Sequence, residues 1–437
     1  MRVLRLLVYY VLTRVRSRRF RSRKALEAWQ HRKVVALVKR VRQQSPFYRS
    51  YYQGLDAHNW RSFPTIDKAV MMDHFDQLNT AGITKEEAFR IALRAERERD
   101  FSAQIGDIAV GLSSGTSGSR GLFLVSAKER AAWAGTVLAK ALPASLLVRQ
   151  RIAFFLRADS HLYQSVRSKR LQFRFYDMIH PVEDNVRLLS EQQPTLLVAP
   201  PSMLRLLAEA QLAGELFIAP GKVISVAEVL EPLDKQLIEQ AFGVRVDQIY
   251  QCTEGFLAAT CSQGTLHLNE DILVIEKEYV DEEQRIFSPI ITDFSRETQP
   301  IVRYRLNDLL TEATQPCACG SSFTAIASIE GRTDDLFYGR DADTQRLVPI
   351  FPDFIRRAVI MSSERIKEYK VVQQSDRQLE VALRVDGAPE ELHPELAAAL
   401  SKLFTSRGCM APLIAFVPYE ADQGLRKLRR VERKWKV

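Results

Sequence analysis

The spacing of hydrophobic positions changes along this chain, and the change divides it into predicted elements. From Ala25 to Val41, the apolar residues Leu26, Trp29, Val34, Leu37, Val38 and Val41 fit a helix better than a strand. Ser45-Pro46-Phe47-Tyr48 reads as its stop, and Pro64-Thr65-Ile66-Asp67-Lys68 as a turn into another helix. A helix is predicted over 129–147, then a buried strand over Arg151-Ile152-Ala153-Phe154-Phe155-Leu156. Thr195-Leu196-Leu197-Val198-Ala199-Pro200-Pro201 repeats the strand-then-turn form ahead of a helix over 203–212. A strand over 222–226, a helix over 233–241 and a strand over 244–250 follow. Strands alternating with helices at these separations predict an α/β fold with largely parallel pairing. From His267 the pattern turns to β, through Leu268, Ile272, Val274, Ile286, Ile290, Ile291 and the run Ile301–Asp308.

Three stretches stand out chemically. Ser113-Ser114-Gly115-Thr116-Ser117-Gly118-Ser119-Arg120-Gly121 lies between the apolar runs Ile108–Leu112 and Leu122–Val125, a small-residue loop between two strands. Glycines let successive N–H groups converge on an anion, and the hydroxyls add donors. The Gly-x4-Gly-Lys-Ser/Thr phosphate loop is excluded by spacing and by the missing lysine, while a Ser/Gly linker is the bland alternative. The strand ending at Tyr250 runs into Gln251-Cys252-Thr253-Glu254-Gly255. Ligands collect at the carboxyl ends of strands in open α/β sheets, so the Thr253 hydroxyl could touch a phosphate and Glu254 could hold Mg²⁺. Asp308 ends a third strand, where a carboxylate could bind a vicinal diol or simply pair with a surface arginine.

At 437 residues, the chain exceeds what one hydrophobic core usually serves, so two domains are expected. The net charge of +9 sits largely at the ends: residues 14–24 carry seven basic side chains and no acid, and residues 426–436 carry seven against Glu432. Such ends suit phosphates, an anionic membrane surface or a polyanionic ligand. No zinc-finger spacing is present, so a specific nucleic-acid partner is not expected. Residues 1–13 form an apolar run interrupted by Arg2 and Arg5, shorter than the ~20 residues that span a bilayer. It lacks the charge order of a secretory signal. Two readings stay open: peripheral membrane contact through residues 1–24, or a helix packed on the protein's own body. The five cysteines are odd and sparse (Cys252, Cys261, Cys317, Cys319, Cys409), so a reducing cytoplasm is the expected compartment and Cys409 a core residue.

In their order and spacing, these motifs resemble the adenylate-forming superfamily of acyl- and aryl-CoA ligases. The resemblance is closest to the phenylacetate–CoA ligase branch, including the coenzyme F390 synthetase-like proteins. It is carried by Ser45-Pro46-Phe47-Tyr48, Leu266-His267-Leu268-Asn269-Glu270-Asp271, Arg303-Tyr304-Arg305, and Cys317-x-Cys319-Gly320 ahead of Gly331-Arg332-Thr333-Asp334-Asp335. It implies a large N-terminal α/β adenylation domain with parallel-rich sheets, residues 1–332, and a small mobile α+β domain, residues 333–437.

By motif, Ser113, Ser114, Gly115, Thr116, Ser117 and Gly118 match the loop that cradles the β- and γ-phosphates of ATP. Thr253 matches the α-phosphate contact, Glu254 the Mg²⁺ ligand and Asp308 the ribose ligand. Arg332 matches the arginine that opens the inter-domain hinge, and Asp334 the hinge residue itself. Lys427, in Gly424-Leu425-Arg426-Lys427-Leu428-Arg429-Arg430, resembles the catalytic lysine that bridges the acid and the α-phosphate. The implied reaction is ATP-dependent adenylation of an aryl or acyl carboxylic acid. The acyl group then passes to a thiol, amine or hydroxyl, foremost CoA. The alternatives are AMP transfer to a phosphate or hydroxyl of a larger cofactor, and a nucleotide-binding relative without catalysis.

The sequence departs from the family pattern at several points. The loop has Ser119 where the family usually has lysine; Arg120 is next to it, a fork rather than a point charge. Tyr338-Gly339-Arg340-Asp341 replaces a glycine-rich turn that helps form the acceptor tunnel, and the segment 157–176 is arginine-rich. An anionic or hydroxylated acid is therefore as plausible as phenylacetate. Relatives in the branch hold a structural zinc with Cys/His ligands at places similar to Cys261, His267, Cys317 and Cys319, a donor set that suits tetrahedral Zn²⁺. Two buried thiols and an unrelated Cys-x-Cys turn are the alternative.

Overall fold

Ser126 opens the helix Ala127–Ala141 with a reciprocal capping box: Ser126 and Glu129 each bind the other's backbone N–H. The helix ends at Ala141, short of the predicted 147, because Leu142 precedes Pro143 and is held extended (φ −66°, ψ 135°). This computed structural model describes residues 2–20, 22–98, 104–113, 120–143, 146, 148–156, 170–178, 180–420 and 429–435. By contacts the chain divides into a large unit (Met1–Leu230, Asp234–Leu306, Thr311–Ser328) and a small one (Glu231–Leu233, Asn307–Leu310, Ile329–Val437).

In the large unit, β1 (Gln104–Ile105), β2 (Ile108–Leu112) and β3 (Leu122–Val125) form a small antiparallel sheet. The principal sheet has a parallel half. There β4 (Gln150–Leu156), β5 (Leu171–Asp177), β6 (Leu196–Ala199), β7 (Lys222–Val226) and β8 (Val246–Gln251) lie in the order β5-β4-β6-β7-β8. Ala153 and Phe155 of β4 enter one core while Ile152 and Phe154 enter another, so both faces of this half are covered. The sheet continues through β9 (Phe256–Thr260), β10 (Leu266–Leu268), β11 (Leu273–Asp281), β12 (Ile286–Asp293) and β13 (Ile301–Arg305), and through β14 (Asp308–Glu312) and β15 (Ala325–Arg332), of which residues 311–312 and 325–328 belong to the large unit. Pairing turns antiparallel at β8–β9 and stays so at β9–β10 and β10–β15. The parallel expectation therefore holds only up to β8.

The helix Arg2–Arg19 packs on Ala127–Ala141. Glycine at position 135 makes the approach close: a Cβ there would stand 2.4 Å from the Leu6 carbonyl. One face of the N-terminal segment is thus seated on the protein's own body. Among the described residues, no helix is long and apolar enough to cross a membrane. Ser45 ends the helix Arg23–Gln44 and also caps Pro46–Tyr51, so the Ser-Pro-Phe-Tyr motif is a corner rather than a stop. Tyr48 then donates to the Pro300 carbonyl (3.0 Å) and Tyr52 to Val302 (3.3 Å), fixing the start of β13.

The small unit has a hairpin of β16 (Phe337–Arg340) and β17 (Leu347–Ile350). Its four-stranded sheet, of β18 (Ile366–Ser375), β19 (Gln378–Val385), β20 (Leu413–Val417) and β21 (Val431–Arg433), runs β20-β19-β18-β21. The helices Pro352–Ser362 and His393–Thr405 belong to the same α+β unit. Cys409 is core, as expected, and packs on Gly339, where a Cβ would meet its sulfur at 2.7 Å.

Candidate active site

The change from parallel to antiparallel pairing forces a turn at the carboxyl end of β8, and that turn is Cys252-Thr253-Glu254-Gly255, closed by Cys252 N–H on the Gly255 carbonyl (3.1 Å). The Thr253 hydroxyl donates to Glu254 Oε2 (2.8 Å), and the Tyr304 hydroxyl, from β13, donates to Oε1 (3.1 Å). Burial first, and then the neighbouring Glu254 charge, push the Tyr304 phenol far above its ordinary range, so it remains a donor. Each carboxylate oxygen keeps further lone-pair capacity, which a hard cation could use.

The neck of the glycine-rich loop is closed by Ser113 N–H on the Gly121 carbonyl (2.8 Å) and by Gly121 N–H on the Ser113 hydroxyl (2.7 Å). Ser114, Gly115, Thr116, Ser117 and Gly118 lie outside the described residues. Arg120 grips Glu96 with both terminal nitrogens (2.7 and 2.9 Å), so its fork is committed to the helix Lys85–Glu98. Lys68 runs past the neck, where a Cβ on Gly121 would lie 3.1 Å from its Cε.

Arg296 joins these two parts. Its guanidinium donates to the Thr253 carbonyl (3.3 Å) and to the Leu124 carbonyl of β3 (3.2 Å), while Gln299 holds Leu124 N–H (2.8 Å) and the Leu122 carbonyl (3.1 Å). Arg296 draws two neighbouring carboxyls down, yet their net shifts are opposite. Burial pushes Asp293 up to about 6 despite Ser295 and Arg296. Burial also acts to raise Glu129, but Arg296 and hydrogen bonds from Ser126 and Thr298 outweigh it, and its pKa ends below the ordinary value. Sequence reasoning missed Arg296, Tyr304 as a partner of Glu254, Lys68 and Asp293. Arg296 and Asp293 stand in no motif; Tyr304 was in view as part of Arg303-Tyr304-Arg305 but without a role.

In the small unit, Asp308 opens β14 and Arg332 closes β15, their charged atoms 3.8 Å apart. Asn307 donates to Asp334 (3.1 Å). Gly331 has φ +123°, a conformation that favours glycine immediately before Arg332. Arg429 pairs with Asp335, whose carboxyl is raised by burial and drawn back by that guanidinium. Lys427 lies outside the described residues.

Cys261, His267, Cys317 and Cys319 converge in the large unit. One ligand atom from each of Cys261, His267, Cys317 and Cys319 lies within 4.8 Å of the others. The Cys261–Cys317 sulfurs are 3.8 Å apart, and Cys319 Sγ is 3.4 Å from His267 Nε2. With Zn–S near ~2.3 Å, a tetrahedron has sulfur–sulfur edges of roughly 3.8 Å, so the donor set fits. His267 Nδ1 faces the Phe323 carbonyl (3.0 Å), which fixes a tautomer with Nε2 turned to the cluster.

No family model matches the chain. Over 270 residues it is 25% identical to a phenylacetate-coenzyme A ligase of Thermus thermophilus; the match takes in 58% of this chain and 56% of that protein. The matched stretch thus spans just over half the length of the curated relative. Among solved structures, 2-hydroxyisobutyryl-CoA ligase in the postadenylation state, in complex with R3-HIB-AMP, aligns with TM-score 0.67 and 16% identity, covering 92% of this chain and 88% of that one. An open conformation of that ligase, in complex with 2-HIB-AMP and CoA, aligns with TM-score 0.58 and 18% identity over 92% and 90% of the two chains. The fold is that of the adenylate-forming ligases. Within that class, the resemblance to the phenylacetate–CoA ligase branch drawn from the motifs is borne out by the sequence relative.

Proposed function

We propose that this protein is an adenylate-forming acid–thiol ligase. The acid's carboxylate attacks the α-phosphorus of ATP, the α–β anhydride bond breaks, and pyrophosphate leaves. The thiol sulfur of CoA then attacks the acyl carbon of the adenylate, AMP leaves, and the thiol proton passes to solvent. Joining one anion to another requires placed positive charge more than covalent help.

The observation that carries this reading is Arg296, whose guanidinium bonds both the Thr253 carbonyl and the strand leaving the glycine-rich loop. One side chain thereby ties the strand that follows the glycine-rich loop to the turn that carries a hydroxyl (Thr253) and a carboxylate (Glu254), and we read Ser113 to Gly118 as the phosphate cradle. When bound at Glu254, Mg²⁺ neutralises phosphate oxygens; Tyr304 and Thr253 orient that carboxylate for it. Lys68, beside the loop neck, supplies the ammonium that the loop lacks at Ser119; Arg120 braces the loop against Glu96. Asp308 takes the ribose hydroxyls. Residues 333–437 act as a mobile domain that turns at Asp334, with Arg332 at its edge, and brings Lys427 to the reacting carboxylate.

Cys261, His267, Cys317 and Cys319 hold a structural Zn²⁺ that ties the β9–β10 hairpin to the loop before β15. About one zinc per chain is expected by elemental analysis; a metal-free protein with unchanged melting temperature counts against it.

The test of the main reading is acid-dependent exchange of labelled pyrophosphate into ATP, run with Mg²⁺ over a panel of aryl, acyl and hydroxy acids. Exchange with one class, followed by CoA-dependent AMP release, is the expected result. ATP binding without exchange for any acid would leave a nucleotide-binding relative. AMP retained on a hydroxyl or phosphate product would favour the transfer alternative.

A further inference from the structure

The helix Arg2–Arg19 buries only one side. Leu6, Tyr10 and Thr13 face the helix Ala127–Ala141, with Thr13 bonded to Thr136 (3.3 Å). On the other side Leu4, Leu7, Val8, Val11, Leu12 and Val15 are 36–67% exposed. At 100° per residue these six fall within an arc of about 140°, opposite Thr13, and form an aliphatic stripe along a helix ~27 Å long. Exposed Leu and Val scattered singly are ordinary on a protein surface; six on one continuous stripe are not.

The charge beside the stripe identifies its occupant. Residues 1–26 contain nine Arg and Lys and no Asp or Glu. Arg5 flanks one edge of the stripe and Arg14 the other; Arg19 and Lys24 extend the positive region toward the next helix. A second copy of the chain docked on this face would set one basic border against another, which is repulsive. A bilayer surface with anionic headgroups answers both features, apolar interior to the stripe and negative charge to its borders. No described helix is long and apolar enough to cross, so the helix would lie in the plane of the interface. We infer that the N-terminal helix seats the protein on an anionic lipid surface through Leu4, Leu7, Val8, Val11, Leu12 and Val15.

Co-sedimentation of the full chain with vesicles tests this, and it is read without any substrate, so its outcome is independent of whether the chain adenylates an acid. Vesicles of phosphatidylcholine with roughly one-third phosphatidylglycerol should carry the protein down, and pure phosphatidylcholine vesicles far less. The double variants Val8→Asp/Val11→Asp and Val8→Ser/Val11→Ser should each partition about tenfold less while keeping the parent's melting temperature, since both side chains are exposed. The serine pair separates loss of apolar contact from added charge. Equal partitioning of parent and both variants, or no sedimentation of the parent, overturns the inference. So does a concentration-dependent dimer that the serine pair dissolves without any vesicle binding, because the stripe would then be covered by a second copy.

Discussion

The Thr253–Glu254 turn of the large unit and the Asp308–Asp335 region of the small one both carry charged groups, but they hold them differently. Around Glu254, the polar groups are fixed by hydrogen bonds from elements far apart in sequence: Tyr304 from β13, and Arg296 on backbone carbonyls of the turn and of β3. Around Asp308, the partners are mainly charged or amide side chains reaching one another, with Arg332 at 3.8 Å and Asn307 on Asp334. A guanidinium on backbone carbonyls keeps its place as long as the strands do. Ion pairs between long side chains exchange with water or with a ligand at little cost. The first arrangement suits a surface that must be ready before substrate arrives; the second suits one whose partners change during a cycle.

The strongest way to break this contrast is at its two reactive ends. Lys427→Ala should slow acid-dependent pyrophosphate exchange by about 3–4 kcal/mol of barrier, several hundred-fold, while leaving ATP affinity unchanged. Glu254→Gln should lower exchange and also weaken Mg²⁺-dependent ATP binding. Equilibrium binding of a fluorescent ATP analogue beside exchange rates distinguishes them; identical loss of binding in both variants would erase the distinction.

The next effect concerns the fixed region alone. Burial pushes the Asp293 carboxyl up to about 6, above the ordinary aspartate value of 3.8. Because the folded pKa is raised, the protonated group's contribution to stability is fully present below pH ~4 and is lost as pH rises through about 6, amounting to about 3 kcal/mol. Asp293→Asn should therefore gain on the parent steadily between pH 4 and 7, as read from urea midpoints. Parallel pH profiles for the two proteins would show that Arg296 already compensates the buried carboxylate.

The smallest effect is expected at the exchangeable pair. Arg332→Ala should change the unfolding free energy by about 1 kcal/mol or less, since a partly solvated ion pair contributes little. A loss comparable to that of a buried pair would place Arg332 with the fixed groups instead.

The chemistry-bearing motifs were legible because they are short and local. Thr253 and Glu254 follow directly from a strand whose apolar run is visible, and the loop neck at Ser113 and Gly121 lies between two such runs. The Cys/His set could be proposed by resemblance, yet its convergence required β9, β10 and the loop before β15 to be adjacent. Arg296 and Asp293 were invisible for the converse reason: each sits among ordinary residues, and its role exists only through partners more than forty positions away or through burial. The helix limit at Ala141 was missed because hydrophobic spacing continues past Pro143, while the backbone of the preceding residue cannot.

The order of hydrophobic segments determined an α/β chain, since periodicity and turn residues act within a few positions of themselves. The same local chemistry marked out a loop of glycines and hydroxyls and a strand-end carboxylate. Which carboxyl has its pKa raised, which arginine bridges two strands, and which side of the first helix stays uncovered were decided only on folding. Burial and hydrogen-bond partnership are properties of what the rest of the chain brings alongside, and no residue carries them in its own identity.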